Sequence, residues 1–272
     1  MRGRPPGALV AGGAITALFV LAALLSLAWT PELPTRIRMS LRLKPPLEAG
    51  LLGTDPFGRD VLSMLMRGAW FSLSTALLSV LLGLLLGVAL GAAAAALRGR
   101  FEEVAMRAAD LIFAFPALVS AIMVSTILGP GQATAVTAIG LFIVPVFARV
   151  ARGAALRVWA RDFCRAAEAS GKGRLAITLE HVLPNIAGTL AVQLTLQLAL
   201  AILIEAGLSF LGLGLPPPTP SWGRMLNEAQ TYLARAPWLA LAPGGTIALA
   251  VLGFNLLGDG LRDLFDPRRA PR

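Results

Sequence analysis

Three groups of residues in this sequence have the types and spacing to do chemistry. The first lies in a polar stretch, residues 150–185, that carries Arg152, Arg157, Arg161, Arg165, Lys172 and Arg174. Cations in that number between apolar runs hold a segment on the cytoplasmic side of a membrane. The second is Gln193, Gln197 and Glu205 inside an apolar run. The glutamines are one helical turn apart, and Glu205 follows eight residues later on roughly the same stripe. An acid at membrane depth is costly: it marks a substrate path or gate, or else it packs or pairs near the outer end of its helix, where it can also reach water. The third is Asp55 and Asp60 in a turn-rich connector. They could hold a metal, but Asp60 reads better as the cap of a following helix. One cysteine, Cys164, forbids an internal disulfide, and with one histidine, His181, it makes no zinc-type cluster. No nucleophile motif or paired acid and base supports an enzyme, and no Gly-x4-Gly-Lys-Ser/Thr supports ATP hydrolysis by this chain. No catalytic residue, metal or cofactor of its own is expected.

The polar stretch reads as folded. Asp162 can cap a short helix that Gly171 ends in the left-handed conformation. Phe163, Ala166, Ala167 and Ser170 fall on one face of that helix, with Arg161, Arg165 and Glu168 elsewhere. A second short helix follows, with Leu175, Leu179 and Val182 on one face. Pro184 is expected to end it, because proline has no amide hydrogen, and Asn185 to cap the next membrane helix.

Membrane helices have to position these groups. Of 272 residues 56% are hydrophobic and 14% charged, and the apolar residues gather in runs near 20 long. The expected fold is all-α, a polytopic membrane protein with six transmembrane helices and a cytoplasmic loop at 150–185. The spans are placed at 8–29, 69–97, 111–128, 132–149, 186–212 and 238–258. A cleaved signal peptide is the rival reading of the first, disfavoured by its length and by the poor cleavage site Trp29-Thr30-Pro31. Residues 98–110 read as a charged loop, Pro116 as a bend in the third span, and Gly129-Pro130-Gly131 as a tight turn. Gly83, Gly87 and Gly91 recur every fourth residue and line a face that another backbone can approach. Pro216, Pro217 and Pro218 stop the fifth span, and a segment around 221–233 is placed in the interface with Trp222 and Tyr232 at headgroup depth. Pro243-Gly244-Gly245 is expected to interrupt the sixth span, which also carries Asn255.

The +9 net charge is almost all arginine. Its placement between apolar runs suits cytoplasmic retention and anionic headgroups better than nucleic acid. With both termini in the cytoplasm, inner segments hold 16 of the 24 cations, counting Arg2, Arg4, Arg268, Arg269 and Arg272. The first outer loop runs against this bias, because it keeps Arg36, Arg38, Arg42, Lys44, Arg59 and Arg67. The chain divides into residues 1–68, the first helix and outer loop, and 69–272, a five-helix transmembrane domain.

The pattern Ala166-Ala167-x3-Gly171, then Ile177 and Leu183-Pro184, resembles the cytoplasmic loop of ABC importer permeases, usually written Glu-Ala-Ala-x3-Gly followed by Ile-x-Leu-Pro. Arg165 stands at the acidic position and Lys172-Gly173 follow the glycine, and both depart from the pattern. The run from His181 to Asn185 looks like the variant found in dipeptide, oligopeptide and nickel permeases. Three further phrases are similar to that subfamily in the same order: 53–62, 205–214 with 220–226, and 255–268. The resemblance is to the second-permease, C-type subunit of such a pair. It implies a coupling helix that docks on an ATPase, with Asp162, Phe163, Arg165, Ala166, Ala167, Glu168, Gly171, Ile177, His181, Leu183 and Pro184 in the docking loop. Apart from the resemblance, Gln193, Gln197, Glu205 and Asn255 are the candidates for a substrate path or gate, on the ground that polar groups at membrane depth are costly. The resemblance also implies a second permease completing a heterodimeric pore, two ATPase subunits binding ATP and magnesium, an extracytoplasmic solute-binding protein and surrounding lipid, with no nucleic acid. The cargo it implies is di- or oligopeptides crossing the cytoplasmic (inner) membrane. Nickel or another small solute is the alternative. A less favoured one is an ATP-independent secondary transporter using Glu205 and Asp259 as ion sites.

Overall fold

In a computed structural model that describes residues 7–265, the chain is a bundle of long helices. Expectations resting on Arg2, Arg4 and residues 266–272 fall outside the described residues. Helix α1, Gly7–Ala28, lies antiparallel to α10, Trp238–Phe265. Their backbones meet where side chains are missing: Gly12 against Leu256 and Leu257, Gly253 against Ile15, and Gly260 against Leu9.

Helix α2, Val61–Leu97, has 37 residues. At 1.5 Å per residue it is about 55 Å long and exceeds a bilayer core. Asp60 starts it: its Oδ2 accepts from the Ser63 backbone N–H at 2.7 Å and from the Ser63 hydroxyl at 2.6 Å. That satisfies a donor every helix start leaves orphaned. The Asp55 carboxylate is also filled, accepting from the N–H groups of Phe57 and Arg59 and from Arg59 Nε. The two acids are therefore structural acceptors in the connector.

Helix α5, Gln132–Trp159, packs on α2 and runs the same way. Gln132 Nε2 reaches Ser74 at 2.9 Å and Thr75 at 3.2 Å. Further along, Gly83 meets Ile143, Gly87 meets Val144 and Phe147, and Gly91 meets Ala148. The glycine face expected from the fourfold spacing is this seam. Helix α5 outruns the expected span by ten residues. Ala151, Ala154, Ala155 and Val158 continue an apolar stripe at helical spacing, so the first part of the polar stretch is helix and not loop.

Because α2 and α5 are parallel, the chain between them has to return across the bundle. It does so as α3, Gly99–Phe113, and α4, Ala117–Leu128, bent by 86° at Pro116. The charged loop expected at 98–110 is thus a helix. Two of its three acids are paired along α5, Glu102 with Arg152 at 2.5 Å and Asp110 with Arg149, and the third, Glu103, pairs with Arg107 of α3 itself, while Ala105 and Ala109 face inward. Among the described residues five helices are long and apolar enough to cross a membrane, and the α3–α4 pair makes the sixth crossing.

The remaining elements are α6, Asp162–Ala169; α7, Arg174–Ile177; α8, Leu183–Phe210; and α9, Trp222–Ala229. Pro184 does not end a helix. Residues Arg174–Phe210 form one rod, with a π turn at Thr178–Val182 just before the proline. There the Leu183 N–H bonds to Thr178 O, five residues back, so the ladder is widened where Pro184 offers no donor. Asn185 caps nothing; its Nδ2 donates to His181 O at 2.7 Å. Pro243 likewise sits inside a continuous α10, near its start, where it removes a single bond. Trp222 is fully buried in the bundle, its Nε1 donating to Leu65 O at 3.1 Å.

Candidate functional site

Helix α6 hangs between the C-terminal end of α5 and the N-terminal end of α8. Arg161 occupies its cap position and contributes no side-chain bond, so Asp162 is the first helical residue and not the cap. An acid there still favours the positive end of the helix dipole. The far end closes as expected. Gly171 has φ +83°, the Gly171 N–H bonds to Glu168 O at 3.0 Å, and the Lys172 N–H bonds to Ala167 O at 3.1 Å. This pair of bonds is the Schellman arrangement, which needs a left-handed residue at the glycine position.

Cys164 and Ala167 are the buried face of α6. They pack with Ala95, Ala151, Ala154, Val158, Ile177 and Val182 in a small inner core. Burial pushes the Cys164 thiol above its ordinary range, against a smaller lowering by Arg161. Ala167 therefore leaves the face it was expected to share. Phe163, Arg165, Ala166, Glu168 and Ser170 are exposed. Arg165 approaches Asp162 only at 3.9 Å, and both side chains stand in solvent. The Phe163 ring meets the edge of His181, centroids 6.1 Å apart.

The second half of the stretch is tied back to the bundle. Arg174 Nη1 donates to Ala96 O at 2.7 Å and to Leu97 O at 3.4 Å, the last carbonyls of α2. A cation at those carbonyls complements the negative helix end. Lys172 pairs with Glu180, and its hydrogen bond and charge hold the Glu180 carboxyl below its ordinary value. Ile177 and Val182 point into the inner core, whereas Leu175 and Leu179 are exposed, so the stripe expected for Leu175, Leu179 and Val182 is split. Leu183 and His181 are half-buried and Pro184 is exposed.

Among the described residues no hydrogen bond joins Gln193, Gln197, Glu205 and Asn255 to one another. Glu205 is only 3% exposed; its Oε1 accepts from Ser209 at 2.7 Å, its Oε2 has no partner among the described residues, and Ser72 of α2 lies beside it. It does not reach water within this chain. Gln197 is buried with an unpartnered Oε1, while Gln193 and Asn255 are half-buried. Sequence reasoning missed a further polar knot. Arg59 is buried between Asp55 Oδ2, at 2.5 Å, and Glu228 Oε2, at 3.0 Å, and Glu228 also accepts from Arg224 at 2.7 Å. The i,i+4 spacing of Asp55 and Arg59 was the visible half of it.

Residues 83–271 match the family of binding-protein-dependent transport system inner membrane components. The chain belongs to that family. It is an ABC transporter permease, a membrane subunit. A di/tripeptide transport system permease protein DppC from Pseudomonas aeruginosa is 42% identical over 264 residues, 94% of this permease and 87% of that protein. A glutathione transport system permease protein GsiD from Escherichia coli O1:K1 / APEC is 42% identical over 216 residues, 79% and 71% of the two chains. A chain of the inward-facing MetNI methionine ABC transporter superposes with a TM-score of 0.63, covering 75% of this permease and 97% of that chain. At 17% identity this last likeness concerns the fold alone.

Proposed function

We propose that this permease is one half of the pore of an importer for di- or oligopeptides. What supports the cargo is 42% identity to a di/tripeptide permease, sustained over 94% of the chain. A second homologous permease completes the pore. Two ATPase subunits bind ATP and magnesium, an extracytoplasmic binding protein delivers the solute, and both termini lie in the cytoplasm. The exposed face of α6, with Phe163, Arg165, Ala166 and Ser170, docks in a groove of an ATPase subunit, while Cys164 and Ala167 hold the helix to the bundle. Nucleotide-driven closure displaces α6, and the rod Arg174–Phe210 carries the displacement into the membrane.

The test is the assembled transporter, with ATPase activity measured with and without the binding protein. Ala166→Glu places a charge on an exposed position, so membrane insertion persists and binding-protein-stimulated activity is lost. Gly171→Asp, which strains the turn that ends α6, gives the same split. Unchanged stimulation in both variants overturns the docking assignment. Vesicles that accumulate nickel but no di- or tripeptide overturn the cargo and leave the docking intact.

A further inference from the structure

The inner end of α2 carries two adjoining features, of whose lining only Arg165, Glu168 and Leu183 are among the residues assigned to docking. One is an apolar groove of about 770 Å³ between α2 and α8. It runs from Leu84 and Leu194 at mid-span to Leu97 and Leu175 at the inner end, walled by leucine, alanine and valine. The other is a pocket of about 360 Å³ where Arg98, Arg165 and Arg174 meet beside Trp159 and one acid, Glu168. Ala96 and Arg174 line both, so the groove and the pocket adjoin.

The pocket is rich in donors. Three guanidiniums face one carboxylate. Among the described residues Arg98 and Glu168 make no ion pair, Arg165 has only its distant contact with Asp162, and Arg174 commits a single nitrogen to the end of α2. The Trp159 indole N–H is buried without an acceptor. Guanidinium forks in this arrangement suit a group with several anionic oxygens, such as a phosphate. The groove suits a hydrocarbon chain. The two meet where a span leaves the membrane, which is the depth of lipid headgroups. A free phosphate would fill the pocket and leave the groove empty. A helix of the second permease would fill the groove and bring no phosphate.

We propose that groove and pocket together bind one anionic phospholipid of the inner leaflet, with an acyl chain along α2 and α8 and the phosphate among Arg98, Arg165 and Arg174. The site steadies the inner end of α2 beside the coupling helix. It is independent of the cargo.

The experiment uses the assembled transporter in nanodiscs of phosphatidylcholine with or without phosphatidylglycerol. Native mass spectrometry counts the lipids retained on release. Arg165 is shared with the docking face, so the variants are Arg98→Gln in the pocket and Ala89→Phe in the groove. Phosphatidylglycerol is expected to be retained over phosphatidylcholine. Arg98→Gln lowers its retention about five-fold, the effect of one headgroup-depth arginine, and Ala89→Phe displaces it. Equal retention of both lipids, or retention that neither substitution changes, overturns the site. Inorganic phosphate that raises the melting temperature as far as phosphatidylglycerol does, in Ala89→Phe as in the parent, reassigns the pocket to a free anion. A cysteine at position 89 that crosslinks to the second permease in the resting complex assigns the groove to protein.

Discussion

Alanine at Gly91 tests the seam between α2 and α5. A methyl there would sit 3.0 Å from the carbonyl carbon and Cα of Ala148, and nearer still to its oxygen. Real Cβ atoms keep about 3.4 Å, and here both sides are backbone. The helices must part along the seam to admit it. At Gly83 the same methyl meets Ile143 Cγ2 at 2.5 Å, its Cβ at 2.7 Å and the backbone oxygen of Gly140 at 3.2 Å; a rotamer change moves Cγ2 but not Cβ, so the helices must part here too. Each substitution gains about 1 kcal/mol of helix propensity, and overpacking costs about 1–3 kcal/mol. With backbone on both sides the overpacking lies toward the upper end of that range, so Gly91→Ala is expected to destabilise by about 1–2 kcal/mol net, which lowers the melting temperature by roughly 2–8 °C in a chain of this size. Gly83→Ala is expected to cost a similar amount. Gly13→Ala in α1, where nothing lies within 4 Å, costs nothing or stabilises. The assay is built in: Cys164 is the single thiol, fully buried and with its ionisation suppressed by that burial, so a thiol-reactive dye reports opening of the fold. A Gly91→Ala protein that melts at or above the parent would refute the backbone-contact argument.

Asp60→Ala removes the cap of α2 and the partner of the buried Ser63 hydroxyl, and should cost at least about 1 kcal/mol in the same melt, with Asp60→Asn closer to the parent. Arg59→Ala leaves the Asp55 carboxylate buried without its cation and should cost about 3 kcal/mol; faster tryptic cleavage after the exposed Arg42 in the same connector reports it, and an unchanged rate counts against the knot. The Glu180 carboxyl lies below its ordinary value of 4.5 because Lys172 stabilises its ionised form. That link is complete above the ordinary value and is lost as pH falls through the lowered one; a carboxyl titration followed by NMR should move up toward 4.5 in Lys172→Gln, and no movement rejects the pairing.

The spans were legible because apolar runs and membrane thickness have the same length scale. Asp60, Gly171 and the three glycines of α2 were legible too, because a cap, a left-handed turn and a close backbone approach each demand few residue types. What could not be read depends on distant partners. Helix α3 looked like a loop because two of its acids are matched by arginines 39 and 50 residues away. Arg59 meets Glu228 across 169 residues. Ala167 and Phe163 sit on neighbouring faces of α6, and only the inner core decides which face is covered. Pro184 was misread because a π turn lets the rod pass a missing donor, and no single residue type announces that turn.

Helix α2 is a beam gripped at both ends. Trp222 holds it at Leu65 near one end, Arg174 holds its last carbonyls at the other, and the glycine seam stiffens the middle against α5. A beam so braced tilts more easily than it bends. Over about 55 Å, a tilt of about 10° about one end carries the other end through about 10 Å. A displacement applied close to such a pivot, beside α6, would thus reach the far end of α2 enlarged by length alone, with no soft joint along the way to absorb it.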